Sequence, residues 1–242
     1  MAEQEVIKHT KTIYKVWNSK EHSFWHKLKE FVLEICIIVF AITVSLWFHN
    51  RSEHQHQQKD VKEFLYGLKE HLQSDIKEMK SDKTAYLNHR SAFYYISNLK
   101  LGEKPTKDSL YRYYNWIFNT TALNPNNGRF EGFKASGKIG TIENRVLQND
   151  IMVLYQEDIP SLLSSTNAYV LRKNNLFNYV EQNRKRLTDS TSNIADVLNT
   201  EIAHNICATL AFTAEITARY DSAITKMEKI VSGINEEYGM KD

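Results

Sequence analysis

The most uniform hydrophobic stretch of the chain runs from Phe31 to Phe48 and reads FVLEICIIVFAITVSLWF. Glu34 is its one charged residue. At a rise of 1.5 Å per residue, a helix of this length covers roughly 27 Å, about the thickness of the hydrocarbon core of a bilayer. Buried helices of soluble proteins seldom run so far without charges. The pattern therefore predicts a transmembrane helix over residues 31–48.

Beyond this stretch, hydrophobic residues recur at an approximate heptad spacing that predicts one long helix as far as Lys100. The residues that carry the spacing are Val61, Leu65, Leu68, Leu72, Met79, Tyr86, Phe93 and Ile96. Asp75, Asp82 and His89 interrupt it at core positions, which favours packing in a helical bundle over a pure coiled coil. A helix of this length must pack or self-associate. Its first leucines are therefore candidate contacts with a partner or a second copy, namely Leu65, Leu68 and Leu72.

Gly102 and Pro105 stop the long helix, and a second helix is predicted from about Asp108. This helix carries aromatic residues nearly all the way round, namely Tyr111, Tyr113, Tyr114, Trp116 and Phe118. Such a distribution predicts burial on more than one side. Stacking on a sugar or a peptide is the alternative, and Tyr113 and Trp116 are candidate partner contacts.

The rest of the chain continues the helical pattern. After the turn-rich stretch 124–128, a short helix is predicted from Phe130 to Ala135, ended by Ser136 and by Gly137, which is free to take a positive φ. A long helix is predicted from about residue 143 to residue 187, kinked or split by Pro160. Final helices are predicted over residues 194–238. The expected inward residues are Val146, Ile151, Leu154, Leu162, Leu163, Tyr169, Leu176 and Val180, then Ile202, Ile206, Leu210, Ile216, Ile224, Met227 and Ile230.

With 8 glycines and 3 prolines in 242 residues, and without the alternation typical of strands, the chain is predicted to be all-α. The expected architecture is an N-terminal transmembrane helix that continues into an antiparallel helical bundle. Residues 1–30 form a cytoplasmic amphipathic segment, 31–48 the transmembrane helix, and 49–242 the extracytoplasmic bundle. Cys36 and Cys207 are too far apart in this layout to form a disulfide.

Charge predicts the orientation but no charged partner. The 31 Lys and Arg residues nearly balance the 29 Asp and Glu residues, and the net charge of +2 favours no binding to nucleic acid. Basic residues are more frequent before the span than after it, which predicts a cytoplasmic N-terminus. They are Lys8, Lys11, Lys15, Lys20, Lys27 and Lys29 before the span, against Arg51, Lys59 and Lys62 after it. The end of the apolar run lacks a small-residue cleavage site, so a retained signal anchor is predicted, with the body in the periplasm.

Three tryptophans are predicted to lie at the membrane interface, where an indole ring is apolar and its N–H stays hydrated. They are Trp17, Trp25 and Trp47. The segment before the span has the helical spacing of an amphipathic helix that lies on lipid. Packing of this segment on a partner subunit is the alternative.

Two segments match a known pattern locally and without gaps. Glu34, Ile35, Ile42, Leu46, Asn50 and Glu53 fit a span of the form G-E-I-x-L-V-V-I-G-I-x-I-A-L-x-I-N-N-W-N-E, from which Leu33, Ala41 and Arg51 depart. Phe130, Glu131, Phe133, Lys134, Ser136, Gly137, Ile139, Ile142, Asn144 and Leu147 fit Y/F-E-x-L-K-x-S-G-x-L-x-x-I-x-N-x-x-L. On these residues the chain resembles an uncharacterised family of bacterial single-span membrane proteins. The resemblance implies the same layout and no particular reaction.

Glu34 is the sharpest candidate for a functional residue, because a carboxylate within a span is costly to bury. It would carry a proton or form an interhelical hydrogen bond. Because it lies about one turn inside the apolar stretch, its side chain could instead reach the cytoplasmic interface. Both interpretations remain open from the sequence.

Other candidate sites are weak. Residues 132–139 nearly spell a phosphate-binding loop, but Ile139 replaces the hydroxyl that would hold Mg²⁺, and no strand precedes the loop. His22 with His26, and His49 with Glu53 and His56, have helical spacing for metal ligands, but neither set supplies four good donors. Neither a metal nor a cofactor is predicted, and no catalytic motif is found.

The favoured hypothesis is a non-enzymatic, membrane-anchored scaffold or accessory subunit at the bacterial inner membrane. It would act through its periplasmic bundle on a protein partner or on a second copy, with lipid as its other contact. The alternative is an energy-coupling or sensory subunit that uses Glu34 in an oligomeric membrane core. Neither hypothesis involves a nucleic acid or a small-molecule substrate.

Overall fold

The computed structural model describes residues 24–100, 102–188 and 192–239, together with Ile7, Lys11, Tyr14 and Lys15. Within these residues the regular structure is helical, and no strand is present beyond an isolated bridge between Arg186 and Ser192. The predicted all-α class is confirmed.

Eight α-helices follow one another along the described chain. Their bounds are α1 Phe24–Ser97, α2 Lys107–Phe118, α3 Gly128–Ala135, α4 Arg145–Val153, α5 Ile159–Asn183, α6 Ile194–Leu198, α7 Glu201–Leu210 and α8 Ala214–Tyr238. A 3₁₀ turn, Lys138–Thr141, follows α3, and a π-helical turn, Leu154–Asp158, joins α4 to α5.

Local chemistry explains where α1 ends and α2 begins. Gly102 has a φ of 90°, which turns the chain after α1 in a conformation that suits glycine. Thr106 then caps α2, because its hydroxyl accepts a hydrogen bond from the Ser109 N–H at 3.1 Å. Asp108 in the first turn complements the positive end of the helix dipole.

The predicted break at Pro160 takes the form of the π-helical turn. Proline has no N–H to donate, and in the preceding turn the Ile159 N–H bonds to the Leu154 carbonyl, five residues back. The extra residue per turn places Pro160 in the first turn of α5, where a missing N–H costs least.

The chain divides into two compact units, Met1–Asp60 and Val61–Asp242. In the first unit, the described part includes a helical stretch long and apolar enough to cross a membrane, and none of its most apolar 18-residue window is buried. The exposed residues there include Val39 and Phe40, at 56% and 71%.

The second unit has a continuous hydrophobic core. Here α5 packs against α7 and α8, and α4 packs against α8. Tyr86 of α1 meets Tyr169 of α5 and Tyr220 of α8, with ring centroids 5.2 and 5.7 Å apart. Near the start of this unit, Phe64 stacks on Phe133 with centroids 4.0 Å apart.

The expected burial of α2 on several sides is wrong. Tyr111 is 90% exposed and Tyr114 is 47% exposed. Ile117 is the buried residue of α2, and Tyr113 and Trp116 are partly buried against the core. A tyrosine has a polar hydroxyl that stays hydrated, so aromatic residues around a helix do not require neighbours on every face.

Two residues expected to point inward are exposed, Val146 at 65% and Ile202 at 56%. Each follows the first residue of its helix, α4 or α7, where the chain has just left a turn. At the start of a helix a residue has helical neighbours only on its C-terminal side, so the apolar spacing alone does not fix whether it faces the core.

Gly137 follows the C-cap of α3, Ser136, and has a φ of 73°. We expect Gly137→Ala to lower the free energy of unfolding by about 1 kcal/mol, because a Cβ strains this left-handed conformation. Gly140→Ala is the matched control, since Gly140 lacks a positive φ and has open space around its Cα. Thermal unfolding of the full chain in detergent micelles measures both. Equal midpoints for the two variants would contradict the prediction.

Candidate functional site

The membrane-associated candidates lie on α1. Trp25 and Trp47 are 76% and 56% exposed, and the Arg51 guanidinium lies over the Trp47 ring, 5.7 Å from its centroid. Glu34 is partly exposed. Trp17 lies outside the described residues. The roles predicted for these side chains at a membrane stay predictions.

The three leucines proposed as partner contacts belong to the chain's own core. Leu65, Leu68 and Leu72 each have no exposed surface. Tyr113 is partly buried beside Tyr95, with ring centroids 5.3 Å apart, and Trp116 is partly buried beside His89, at 5.9 Å. A partner could reach the leucines only if the core opened.

The segment that resembles a phosphate-binding loop is helical for most of its length. Residues 132–135 belong to α3, and the 3₁₀ turn follows Gly137. The turn places Ile142 at zero exposure and Ile139 against the core. The segment therefore positions apolar side chains.

The histidines before the span, His22 and the side chain of His26, are not among the described parts of the chain. His49 and His56 are, and lie on α1. In the described portion, no group of three or more His, Cys, Asp or Glu side chains could hold a metal ion.

The structure instead brings together the three polar residues that interrupt the heptad pattern. Asp75, Asp82 and His89 are buried, at 0%, 7% and 2% exposure. They are spaced seven residues apart on α1, so they lie on one face of the helix. We call these three residues the polar row.

Asp75 and Asp82 contact the connection between α2 and α3, and His89 contacts the end of α2 just before it. This connection, Asn119–Asn127, is called the strap. Asp75 accepts hydrogen bonds from the backbone N–H of Asn126, at 3.1 Å, and from its side-chain amide. Asp82 accepts one from the Thr121 hydroxyl. The Nδ1 atom of His89 lies 2.6 Å from the Trp116 carbonyl, just before the strap.

A fourth contact fixes the direction of the strap, because Glu78 accepts from the Asn124 N–H at 3.1 Å. Strap residues of rising number thus meet α1 residues of falling number. The strap carries backbone groups that no helix satisfies, and a buried polar group without a partner is costly. The polar row supplies part of those partners.

Burial has opposite effects on the groups in this region. It raises the pKa values of Asp75 and Asp82, although hydrogen bonds from Asn126 and Thr121 oppose the effect. It lowers the pKa of His89 to about 4, helped by the positive charge of Lys173. His89 is therefore neutral at physiological pH.

Lys173 of α5 lies at the end of the polar row, and the sequence patterns did not single it out. Its side chain is fully buried. Its Nζ donates to the Trp116 carbonyl at 3.0 Å and to the Asn119 carbonyl. Trp116 lies in the last turn of α2 and Asn119 is its C-cap residue, and carbonyls at this end have no partner within the helix. Lys173 therefore caps α2.

The hydrogen-bond geometry favours an uncharged amine at Lys173. The Trp116 carbonyl can only accept, so the Nδ1 atom of His89 carries a proton. Nζ of Lys173 lies 3.3 Å from that Nδ1 atom. A charged ammonium at Lys173 would face the Nδ1–H group of His89 with no lone pair to accept its proton. A neutral amine has such a lone pair and can accept a hydrogen bond from that group.

The surroundings of Lys173 act in the same direction. Burial lowers its pKa to about 7. The rings of Phe93 and Phe177 cover it, with centroids 5.5 and 5.8 Å from Nζ, and partly compensate the charged form through cation–π contact. Lys173 therefore changes charge near neutral pH inside the core.

Tyrosine hydroxyls complete the polar interior. The Tyr220 hydroxyl donates to Asp82 at 3.3 Å, and the Tyr169 hydroxyl donates to the Leu210 carbonyl at 3.2 Å. Burial raises the pKa values of both. The first bond joins α8 to α1, and the second joins α5 to α7.

No protein-family model, curated protein or solved structure matches the chain at a significant level.

Proposed function

We propose that the chain is a non-enzymatic, membrane-anchored interaction protein of the bacterial inner membrane. One observation carries the proposal. The segment Phe31–Phe48 is helical and apolar, and no residue in the most apolar 18-residue window of its helix is buried. An exposed apolar surface of this length is unfavourable in water and favourable in the hydrocarbon core of a bilayer. Trp25 and Trp47, exposed near its two ends, fit the interfacial zones.

The distribution of lysines supports a cytoplasmic N-terminus and a periplasmic body. Basic residues near a span stay on the cytoplasmic side, and they are more frequent before residue 31 than after residue 48. In this orientation the unit Val61–Asp242 is the part that acts, as a scaffold or as an accessory subunit.

Contacts between α1 and α8 support an antiparallel bundle. Lys80 pairs with Glu228 at 2.8 Å, and Lys83 pairs with Asp221 at 2.5 Å. Nearer the start of the unit, Lys69 donates to Asn235 at 2.6 Å. The residue numbers rise along α1 while they fall along α8, as in two helices of opposite direction.

The polar interior supports an interaction role over catalysis. Burial shifts the pKa values of Asp75, Asp82 and Lys173, and each of these groups binds the chain's own strap or α2. Perturbed groups of this kind are also found in structural networks. In this chain the three groups stabilise the unit Val61–Asp242, whose surface would be presented to a partner.

Protease accessibility tests the anchoring and the orientation together. A site for a specific protease is inserted after Leu187, which is 62% exposed in the connection that follows α5. We expect the protease to cut this site in intact spheroplasts. The cut separates the segment that contains α6, α7 and α8 from α1, so part of this C-terminal fragment should leave the membrane pellet.

The matched control carries the same protease site in a tag placed before Met1, which the protease should reach only after detergent is added. If the Leu187 site is protected in intact spheroplasts, the proposed orientation is wrong. If the uncut chain is found in the soluble fraction, the proposed anchoring is wrong.

A further inference from the structure

A groove lies between the last two turns of α1 and the connection from α7 to α8. Arg90 and Tyr94 line it on the α1 side, and Phe212 and Thr213 line it on the other. Small residues, among them Ala208 and Ala211, form the rest of its wall. Its volume of about 360 Å³ has room for a few side chains of another molecule.

The rim of the groove is aromatic and exposed. Phe212 is 80% exposed and Tyr94 is 63% exposed. Within the described chain, neither ring contacts another aromatic ring. Phenylalanine has no polar group to hydrate, so covering the Phe212 ring with an apolar side chain of another molecule would be favourable.

The charge of the groove is positive. Arg90 is exposed and has no ion pair among the described residues, and no carboxylate lines the groove. Glu215, in the first turn of α8, has Arg219 as its own partner at 2.9 Å. A negatively charged group that enters the groove would therefore meet an uncompensated guanidinium.

A second polar group in the groove wall also lacks a partner. Thr213 is the N-cap of α8, but its hydroxyl does not bond to the helix. The residue is 1% exposed, and in the described chain its Oγ1 atom has no hydrogen-bond partner. The first N–H groups of α8 add partial positive charge on the same side.

We propose that this groove binds a segment of a partner protein that places a carboxylate against Arg90 and an apolar side chain between Tyr94 and Phe212. Arginine and aromatic residues are the side chains most often responsible for the affinity of protein interfaces. The proposal rests on the proposed interaction function and gives it a specific surface.

Photo-crosslinking in intact cells tests the groove with the full chain. A benzophenone-bearing phenylalanine replaces Phe212, and in a parallel strain it replaces Leu171, which is 67% exposed on α5. We expect a crosslinked adduct with another protein from position 212 and not from position 171. The crosslinked peptide should contain an aspartate, a glutamate or a terminal carboxylate near the point of attachment.

Two charge reversals separate the groove from a general effect of charge. Arg90→Glu should lower the yield of the adduct at least about tenfold, because it places like charges together. Arg172→Glu makes the same change at an exposed position on α5 and should leave the yield unchanged. Ala208→Leu fills the groove from an exposed position and should also lower the yield. Thermal unfolding verifies that each variant is folded.

The other outcomes overturn the proposal. An adduct of twice the chain's mass would place a second copy in the groove. An adduct whose yield Arg90→Glu does not change would show that the partner places no carboxylate against Arg90. The absence of any protein adduct would show that no partner protein binds in the groove. Protease accessibility of the Leu187 site does not depend on the groove, so failure of the membrane-anchored function would be recognised separately.

Discussion

Replacing Lys173 by methionine should abolish a rise in stability between pH 7 and pH 9 that the unchanged protein shows. Lys173 is fully buried, and burial lowers its pKa from the usual 10.5 to about 7. Between these two values the unfolded chain holds one proton more than the folded chain. Stability therefore increases with pH in this window, because unfolding must take up a proton whose concentration is falling.

The size of the effect follows from the same linkage. One group contributes at most about 1.4 kcal/mol per pH unit. Over the two units from pH 7 to pH 9, the free energy of unfolding should rise by about 2 kcal/mol, or by about 4–8 °C in Tm for a body of this size. Methionine has a similar length and no proton to release, so the free energy of unfolding of the Lys173→Met variant should not change between pH 7 and pH 9.

The upper limit of the window is set by other buried groups. Burial raises the pKa of Cys207 to about 12, so above about pH 9 the unfolded thiol ionises while the folded thiol does not. That difference lowers stability as pH rises, which opposes the effect of Lys173. Measurements between pH 7 and pH 9 keep the two effects apart.

Two further variants serve as controls for Lys173→Met. Lys107→Met removes an exposed lysine and should keep the full pH dependence. Lys173→Arg places a group that cannot lose its proton in the core, so it should be strongly destabilised at every pH. Thermal unfolding of the full chain in micelles, followed by tryptophan fluorescence, measures all four proteins. A slope that persists in Lys173→Met would show that another group causes it.

The sequence predicted the helices well because their apolar spacing and their terminating residues are local signals. The break after α1, the start of α2 near Asp108, and the interruption at Pro160 all follow from glycine, proline and capping chemistry. The exposed tyrosines of α2 were mispredicted because an aromatic ring signals burial only when neighbours are available. Which faces of a helix have neighbours is decided by the whole fold.

The polar row shows where local reasoning stops. Asp75, Asp82 and His89 were recognised as interruptions of a core pattern, but their partners lie 27–51 residues further along the chain. No spacing rule connects a buried carboxylate to a strap at that distance. The positions were therefore predictable and their contacts were not.

Lys173 did leave a signal in the sequence. Counting from Leu162, the buried positions of α5 advance by alternating steps of four and three residues, and Lys173 occupies one of them. A lysine on an apolar stripe is easily taken for an exposed residue beside it. Its position in the period, between Tyr169 and Leu176, was the better guide to its burial.

Arginines at the centre of the apolar segment should release the full chain from the membrane. Val39 and Phe40 lie at the midpoint of Phe31–Phe48 and are both exposed, so the variant Val39→Arg with Phe40→Arg disturbs no core packing. Each arginine at the centre of a span costs about 2.5–3.5 kcal/mol on insertion scales. Two together should shift the chain from the membrane pellet to the soluble or aggregated fraction after alkaline extraction.

The matched control places the same two charges near the end of the segment, as Val32→Arg with Leu33→Arg. Both positions are exposed, at 51% and 55%, so the two double variants differ mainly in depth. Arginines at the end of a span can extend to the interface at much lower cost, so this variant should stay in the pellet. If both variants leave the membrane, or both stay, depth has no influence and the segment does not cross a bilayer. A difference between them is the result that a spanning helix requires.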